Sequence, residues 1–236
     1  MTRLESDGQF LVTLLEKAGL EVPSSWYLGE YLAWQLQLQI ALDGYVWLLE
    51  RGILDVDAFV ACLLKSKLCE ALVGLFATRP QDIPVTRQDK TALHDQIKCS
   101  ALHIYNSYRV ICLLNVLLVA PKEQNDAYIR AITALKPALD LPVCQTTVSD
   151  MLVLPTVVMD RLQCGDSVLV PWLDTESLHA TAVRFLRRAA RTSNLNDTFV
   201  PKVMQTVVHH MTNDIAIYEL NTYSGKANNH ATCSMI

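Results

Sequence analysis

The feature that most constrains this chain is a run of apolar residues at three-to-four spacing from Trp26 to Arg51. Tyr27, Tyr31, Trp34, Leu38, Leu42, Tyr45 and Leu49 form one seam, and Leu28, Leu32, Leu36 and Ile40 form a second beside it. That spacing is the period of an α-helix. A competing pattern overlaps it. Trp34 to Ile40 alternates apolar and polar residues, and Asp43-Gly44 is a dipeptide that closes tight hairpins. Helix is the stronger reading because Gln, Leu and Ala are good helix formers, and because Gln35, Gln39, Asp43 and Glu50 gather into one polar stripe at about 100° per residue. Gly44 then weakens the helix by about 1 kcal/mol relative to Ala.

The same period recurs along most of the chain. Ser6 to Gly19 places Phe10, Leu11, Leu14, Leu15 and Ala18 on one face, with Ser6 as a start signal and Gly19 as a stop. Asp55 is positioned to cap a helix carrying Phe59, Val60, Leu63 and Leu64, which extends or continues through Leu68, Leu72, Val73 and Phe76 until Pro80. Arg79 to Val85, with two prolines, reads as a loop. The run from Thr86 to Leu118 is too long for one average helix. Glu123 to Lys136 is amphipathic, and a helix from Asp174 or Thr175 to about Arg191 precedes another that begins near Pro201. Between Pro137 and Asp174 the character changes. Pro137, Pro142, Pro155 and Pro171 punctuate a Val- and Thr-rich stretch, in which short helices or short strands at Val148–Val158 and Val168–Trp172 both satisfy the pattern.

The expected fold is therefore all-α: a compact multi-helix domain or helical stack, with room for a few short strands within 137–172. Residues 1–220 read as a single helical domain, with 79–85 and 137–174 as points where it could subdivide. Residues 221–236, rich in Ser, Asn and Thr, read as a flexible C-terminal tail.

Composition limits the function classes. The 236 residues are 51% hydrophobic and 19% charged with mean hydropathy +0.21, which excludes a disordered chain. A net charge of −4 argues against a surface that is basic all over. Seven scattered cysteines, an odd number, do not make a secreted disulfide framework and point to a reducing intracellular compartment, the cytoplasm first. Met1 to Phe10 carries Arg3, Glu5 and Asp7 where a secretory signal needs a basic then apolar segment. The longest apolar run, Val110 to Ala120, is broken by Asn115 and falls short of the roughly 20 residues that cross a bilayer, so no transmembrane segment is expected.

Four features bear on chemistry. Arg184, Arg187, Arg188 and Arg191 stand at i, i+3, i+4 and i+7, one helix face whose summed potential suits RNA, a phosphorylated head group or another polyanion. The bland account of the same residues is a solvated last turn whose charge complements the helix dipole. Six large aromatics, Trp26, Tyr27, Tyr31, Trp34, Tyr45 and Trp47, crowd one proposed helix and form a candidate interface, or else the surround of a central core helix. Cys233-Ser234-Met235-Ile236 has the outline of a prenylation box, though Ser234 and Ile236 depart from its usual residues. His210 and Asp214 stand one turn apart beside His209, but a stable metal site needs three or four ligands.

His94-Asp95 lacks the preceding histidine that a metal-dependent phosphohydrolase requires, and Cys62 with Cys69 suits packing on one helix face. No phosphate-binding Gly-Lys-Ser/Thr loop, dinucleotide turn or nucleophile elbow occurs. No catalytic residue, metal or cofactor is expected. The expected function is a non-enzymatic helical scaffold that self-associates or docks on protein partners. The alternative is a nucleoprotein-like RNA binder using the arginine face, and the third is a helical enzyme acting on a phosphorylated substrate.

Overall fold

The structure, a computed structural model, describes residues 12–13, 15, 20–22, 27–84, 92–118, 126–165 and 173–213. These form α1 (Leu28–Glu50), α2 (Val56–Lys65), α3 (Leu68–Ala77), a 3₁₀ turn (Pro80–Asp82), α4 (Ala92–Leu117), α5 (Asp126–Leu139), α6 (Pro142–Val153), α7 (Pro155–Gly165), α8 (Thr175–Ala189), the single turn α9 (Ser193–Asn196) and α10 (199–213). No strand occurs among the described residues. The alternating segment Trp34 to Ile40 is helical, as its polar stripe requires.

Local chemistry sets the boundaries. Asp55 Oδ1 accepts from Ala58 N at 2.7 Å to start α2, and Asp174 Oδ1 accepts from Ser177 N at 2.7 Å to start α8. The end of α1 is a Schellman turn. Gly52 takes the left-handed conformation at φ 65°, its N–H donates to Leu49 O, and the Ile53 N–H donates to Leu48 O. Extended backbone at Ser66 separates α2 from α3, so Cys62 and Cys69 lie on two helices rather than one face.

Two stretches take their form from packing more than from local pattern. Thr86 to Leu118, longer than an average helix, is one helix over its described part, α4 running unbroken for 26 residues. Its neighbours on several sides allow it to bury residues nearly all round, so length beyond the average carries no penalty. Of the two readings open for 137–165, helix is the one found. Pro142 and Pro155 sit at first helical positions, where the missing N–H costs nothing. Thr146 and Thr147 donate to the carbonyls of Pro142 and Val143 one turn back, so their hydroxyls are satisfied inside α6. Leu154, which precedes a proline, leaves the helical region, and α7 departs from α6 at 108°. Residues 166–172, with Val168–Trp172, lie outside the described set.

One apolar cluster runs from Val12 to Val203. α4 is its axis, packed on α1, α7 and α8. Polar ties pin that packing. Asn106 Nδ2 donates to Gln35 O at 2.9 Å and Gln35 Oε1 at 2.5 Å, Tyr105 donates to Asp43 Oδ1 at 2.8 Å, and Arg109 Nε lies 2.6 Å from the same carboxylate. On the other side Asn115 Nδ2 donates to Thr181 O of α8 at 3.0 Å. No single helix among the described residues is long and apolar enough to cross a membrane. The α6–α7 pair reaches that length and composition only together, across its bend, and buries Cys144, Val148, Met151, Val158 and Leu162 in the core.

Candidate functional site

The arginine face is built on α8. Leu178, Thr181, Ala182, Phe185 and Ala189 form its buried side, and Phe185 meets Phe199 edge-on at 5.5 Å. The opposite side carries Arg184 and Arg187, with Arg191 in the turn that follows, all three exposed. Among the described residues no carboxylate pairs with any of them. Arg188 is different. It is half-buried, and its Nη1 donates to the backbone carbonyl of Asn115 in the last turn of α4. Burial, followed by repulsion from Arg184, lowers its affinity for its proton relative to a free guanidinium. His179 of the same helix lies 3.0 Å through Nδ1 from Leu152 O in the last turn of α6. Two basic residues of α8 thus meet carbonyls at the C-terminal ends of other helices. The sequence grouped four arginines together; the structure leaves three facing outward.

The aromatic cluster divides as well. Tyr31, Trp34 and Tyr45 are buried within the single chain, with Tyr45 edge-on to Phe59 at 5.3 Å. Tyr27 and Trp47 are exposed, and Trp26 lies outside the described residues. What α1 leaves uncovered is a stripe at 29, 33, 36, 40 and 47, in which Leu36 is 43% exposed, Ile40 70% and Trp47 44%. A Cβ at Gly29 would meet nothing, and the Arg51 guanidinium stands 5.9 Å from the Trp47 ring centroid.

Spacing alone did not reveal a third feature, a cleft of about 770 Å³ where α4, α6, α7 and the 3₁₀ turn meet. α4 supplies Gln96, Ser100 and His103 to it, α6 supplies Thr147 and Asp150, and α7 supplies Asp160, Arg161 and Cys164. His103 has only 7% of its surface exposed. Burial pushes its pKa down to about 4, so the ring is neutral at pH 7. Beneath it runs a chain of hydrogen bonds through Tyr31, Gln35 and Asn106. A polar stripe at i, i+4 and i+7 on the largely apolar α4 was the available signal.

The remaining candidates fall elsewhere. His210 Nε2 lies 3.3 Å from Asp150 Oδ1, across from α6, while Asp214 and Cys233 are outside the described residues. Burial raises the Asp150 carboxyl, opposed by His210 and Arg161. His94 and Asp95 form an adjacent pair at 3.8 Å with His94 exposed. Among the described residues no three His, Cys, Asp or Glu side chains converge as metal ligands. Comparison with known protein families, characterised proteins and solved structures gives no match.

Proposed function

We propose that the protein is a non-enzymatic helical interaction protein whose first partner is a second copy of itself, joined along the outward stripe of α1. The observation that carries this reading is the set of exposed positions Ala33, Leu36, Ile40 and Trp47 along one side of a helix whose other side is occupied by core. Stable interfaces hide apolar area of this kind and exclude charge from their centres. The stripe also suits itself. In an antiparallel two-fold pairing with Ile40 opposite Ile40, residue 47 stands opposite residue 33, so bulky Trp47 meets small Ala33 twice. Arg51 then falls beside Glu30 on the same side of the seam. The cysteines at 69, 99, 112, 144 and 164, which form no disulfide among the described residues, fit work in a reducing compartment. Light scattering over about a hundredfold dilution tests the reading. A dimer or larger assembly that dissociates only at the dilute end supports it, and a monomer throughout overturns it.

A second reading rests on a separate observation, the three outward arginines without carboxylate partners among the described residues. Like charges held together on one face are stabilised when an anion arrives, and a nucleic-acid backbone supplies several at once. This reading gives the protein an RNA-binding face on α8. Its test is the salt dependence of RNA binding.

A further inference from the structure

The cleft between α4, α6 and α7 belongs to neither the α1 stripe nor the arginine face, and its lining has a definite chemical character. Arg79 and Arg161 face it with Asp150 and Asp160, so its formal charges cancel. Yet Arg79, Arg161 and Asp160 make no close ion pair among the described residues, while Asp150 lies 3.3 Å from His210 and feels the Arg161 charge. Charges of both signs thus line one concave space, most of them without a close ionic partner there. A purely anionic ligand would meet the aspartates and a purely cationic one the arginines. A molecule carrying both signs a few bonds apart satisfies both sets.

The floor adds a directed hydrogen-bond donor. Asn106 Nδ2 donates to Gln35 Oε1, which leaves Gln35 Nε2 to donate to the Tyr31 hydroxyl at 2.7 Å. The Tyr31 hydroxyl reaches His103 Nδ1 at 3.3 Å and Thr78 O at 3.5 Å. In the tautomer in which His103 Nδ1 accepts the Tyr31 proton, the ring's own proton sits on Nε2. Among the described residues Nε2 has no protein partner, and the ring lines the cleft. In that tautomer a neutral N–H of a largely buried ring is offered to a ligand oxygen. Ile97 and Val157 give the cleft apolar wall, and its volume lies in the range of small-molecule sites.

We propose that this cleft binds a small zwitterion of the amino-acid or short-peptide class, its carboxylate held by Arg79, Arg161 and the His103 Nε2–H and its ammonium by Asp160 and Asp150. The test is calorimetric titration of the full chain with glycyl-leucyl-glycine bearing free termini, beside the same peptide acetylated and amidated and beside inorganic phosphate. The histidine Cε1–H resonances are followed in the same samples. The free peptide is expected to bind and to shift the resonance of the histidine that does not titrate in the neutral range. Blocking the termini should weaken binding by about tenfold or more, since each lost charged contact is worth at least that factor. Arg161 and Asp160 are exposed, so Arg161→Gln and Asp160→Asn keep the fold, and each should weaken the free peptide while leaving the blocked one unchanged. Equal binding of blocked and free peptides, tighter binding of phosphate, or no heat and no histidine shift at about 10 mM peptide would each overturn the proposal.

Discussion

At the scale of single residues, apparent repetition in sequence conceals different tasks. Arg184, Arg187, Arg188 and Arg191 are indistinguishable by spacing, yet Arg188 reaches the Asn115 carbonyl while the others face outward. Arg188→Gln should therefore lower stability by about 1 kcal/mol, the worth of a charge-assisted hydrogen bond that is partly exposed. Arg184→Gln with Arg187→Gln should leave the melting temperature unchanged. If the face binds single-stranded RNA, that pair should instead reduce the salt slope by about 1.4, two contacts at about 0.7 each. A slope indifferent to the pair returns these arginines to a solvated helix end.

His103 makes a second prediction at this scale. Its pKa in the folded chain is about 4, below the ordinary value near 6.5 that it regains on unfolding. Between those values the unfolded chain binds the proton and the folded chain does not, so stability falls as pH drops through the window. The loss approaches about 3 kcal/mol at the acid end. His103→Gln removes the titrating group, and the difference between wild-type and variant stability measured in urea from neutral pH to about pH 4 should narrow accordingly. A difference that is constant with pH would mean that His103 takes up its proton as readily in the folded chain as in the unfolded one.

At the scale of elements, sequence and structure agree where a local signal and the tertiary environment ask for the same thing. Asp55 and Asp174 are legible caps because a carboxylate accepting a first-turn N–H is local chemistry. α1 was legible because its polar stripe sorts only at helical period. The stretch 137–165 was not, since Val, Thr and Pro each lower intrinsic helix propensity and only packing against the core repays it. The cleft was invisible for a related reason. Its residues come from three helices and the 3₁₀ turn, whose crossing geometry the polar stripe of α4 alone does not encode. The α1 stripe yields the element-scale prediction. Ile40 is 70% exposed and touches the core little, so Ile40→Glu should leave the folded chain intact while placing two carboxylates at the two-fold centre. Sedimentation should show the variant as monomer at concentrations where the wild type is assembled. An unchanged assembly would move the interface away from α1.

At the scale of the whole molecule, the two stretches where the chain could divide both lie between helices that pack across them. α1 precedes 79–85 and packs on α4, which follows it, while α2 and α3 pack on α5. α4 precedes 137–174 and α8 follows it, and their contact carries the Asn115 to Thr181 and Arg188 to Asn115 hydrogen bonds. Opening either point would expose one side of α4, whose buried residues include Tyr105, Ile111, Leu113 and Leu114. The cost of that exposure, about 25 cal/mol per Å² of apolar surface, couples the parts. The chain should therefore unfold as one unit. Calorimetry on the Ile40→Glu variant, in which dissociation no longer mixes with unfolding, should give an enthalpy on the order of 120 kcal/mol for the roughly 170 described residues at about 0.7 kcal/mol each. Its van't Hoff enthalpy should equal the calorimetric one, and the fluorescence of buried Trp34 should change with the far-ultraviolet circular dichroism. A van't Hoff value near half the calorimetric one, or a tryptophan transition separate from loss of helix, would instead divide the chain into two domains that unfold separately.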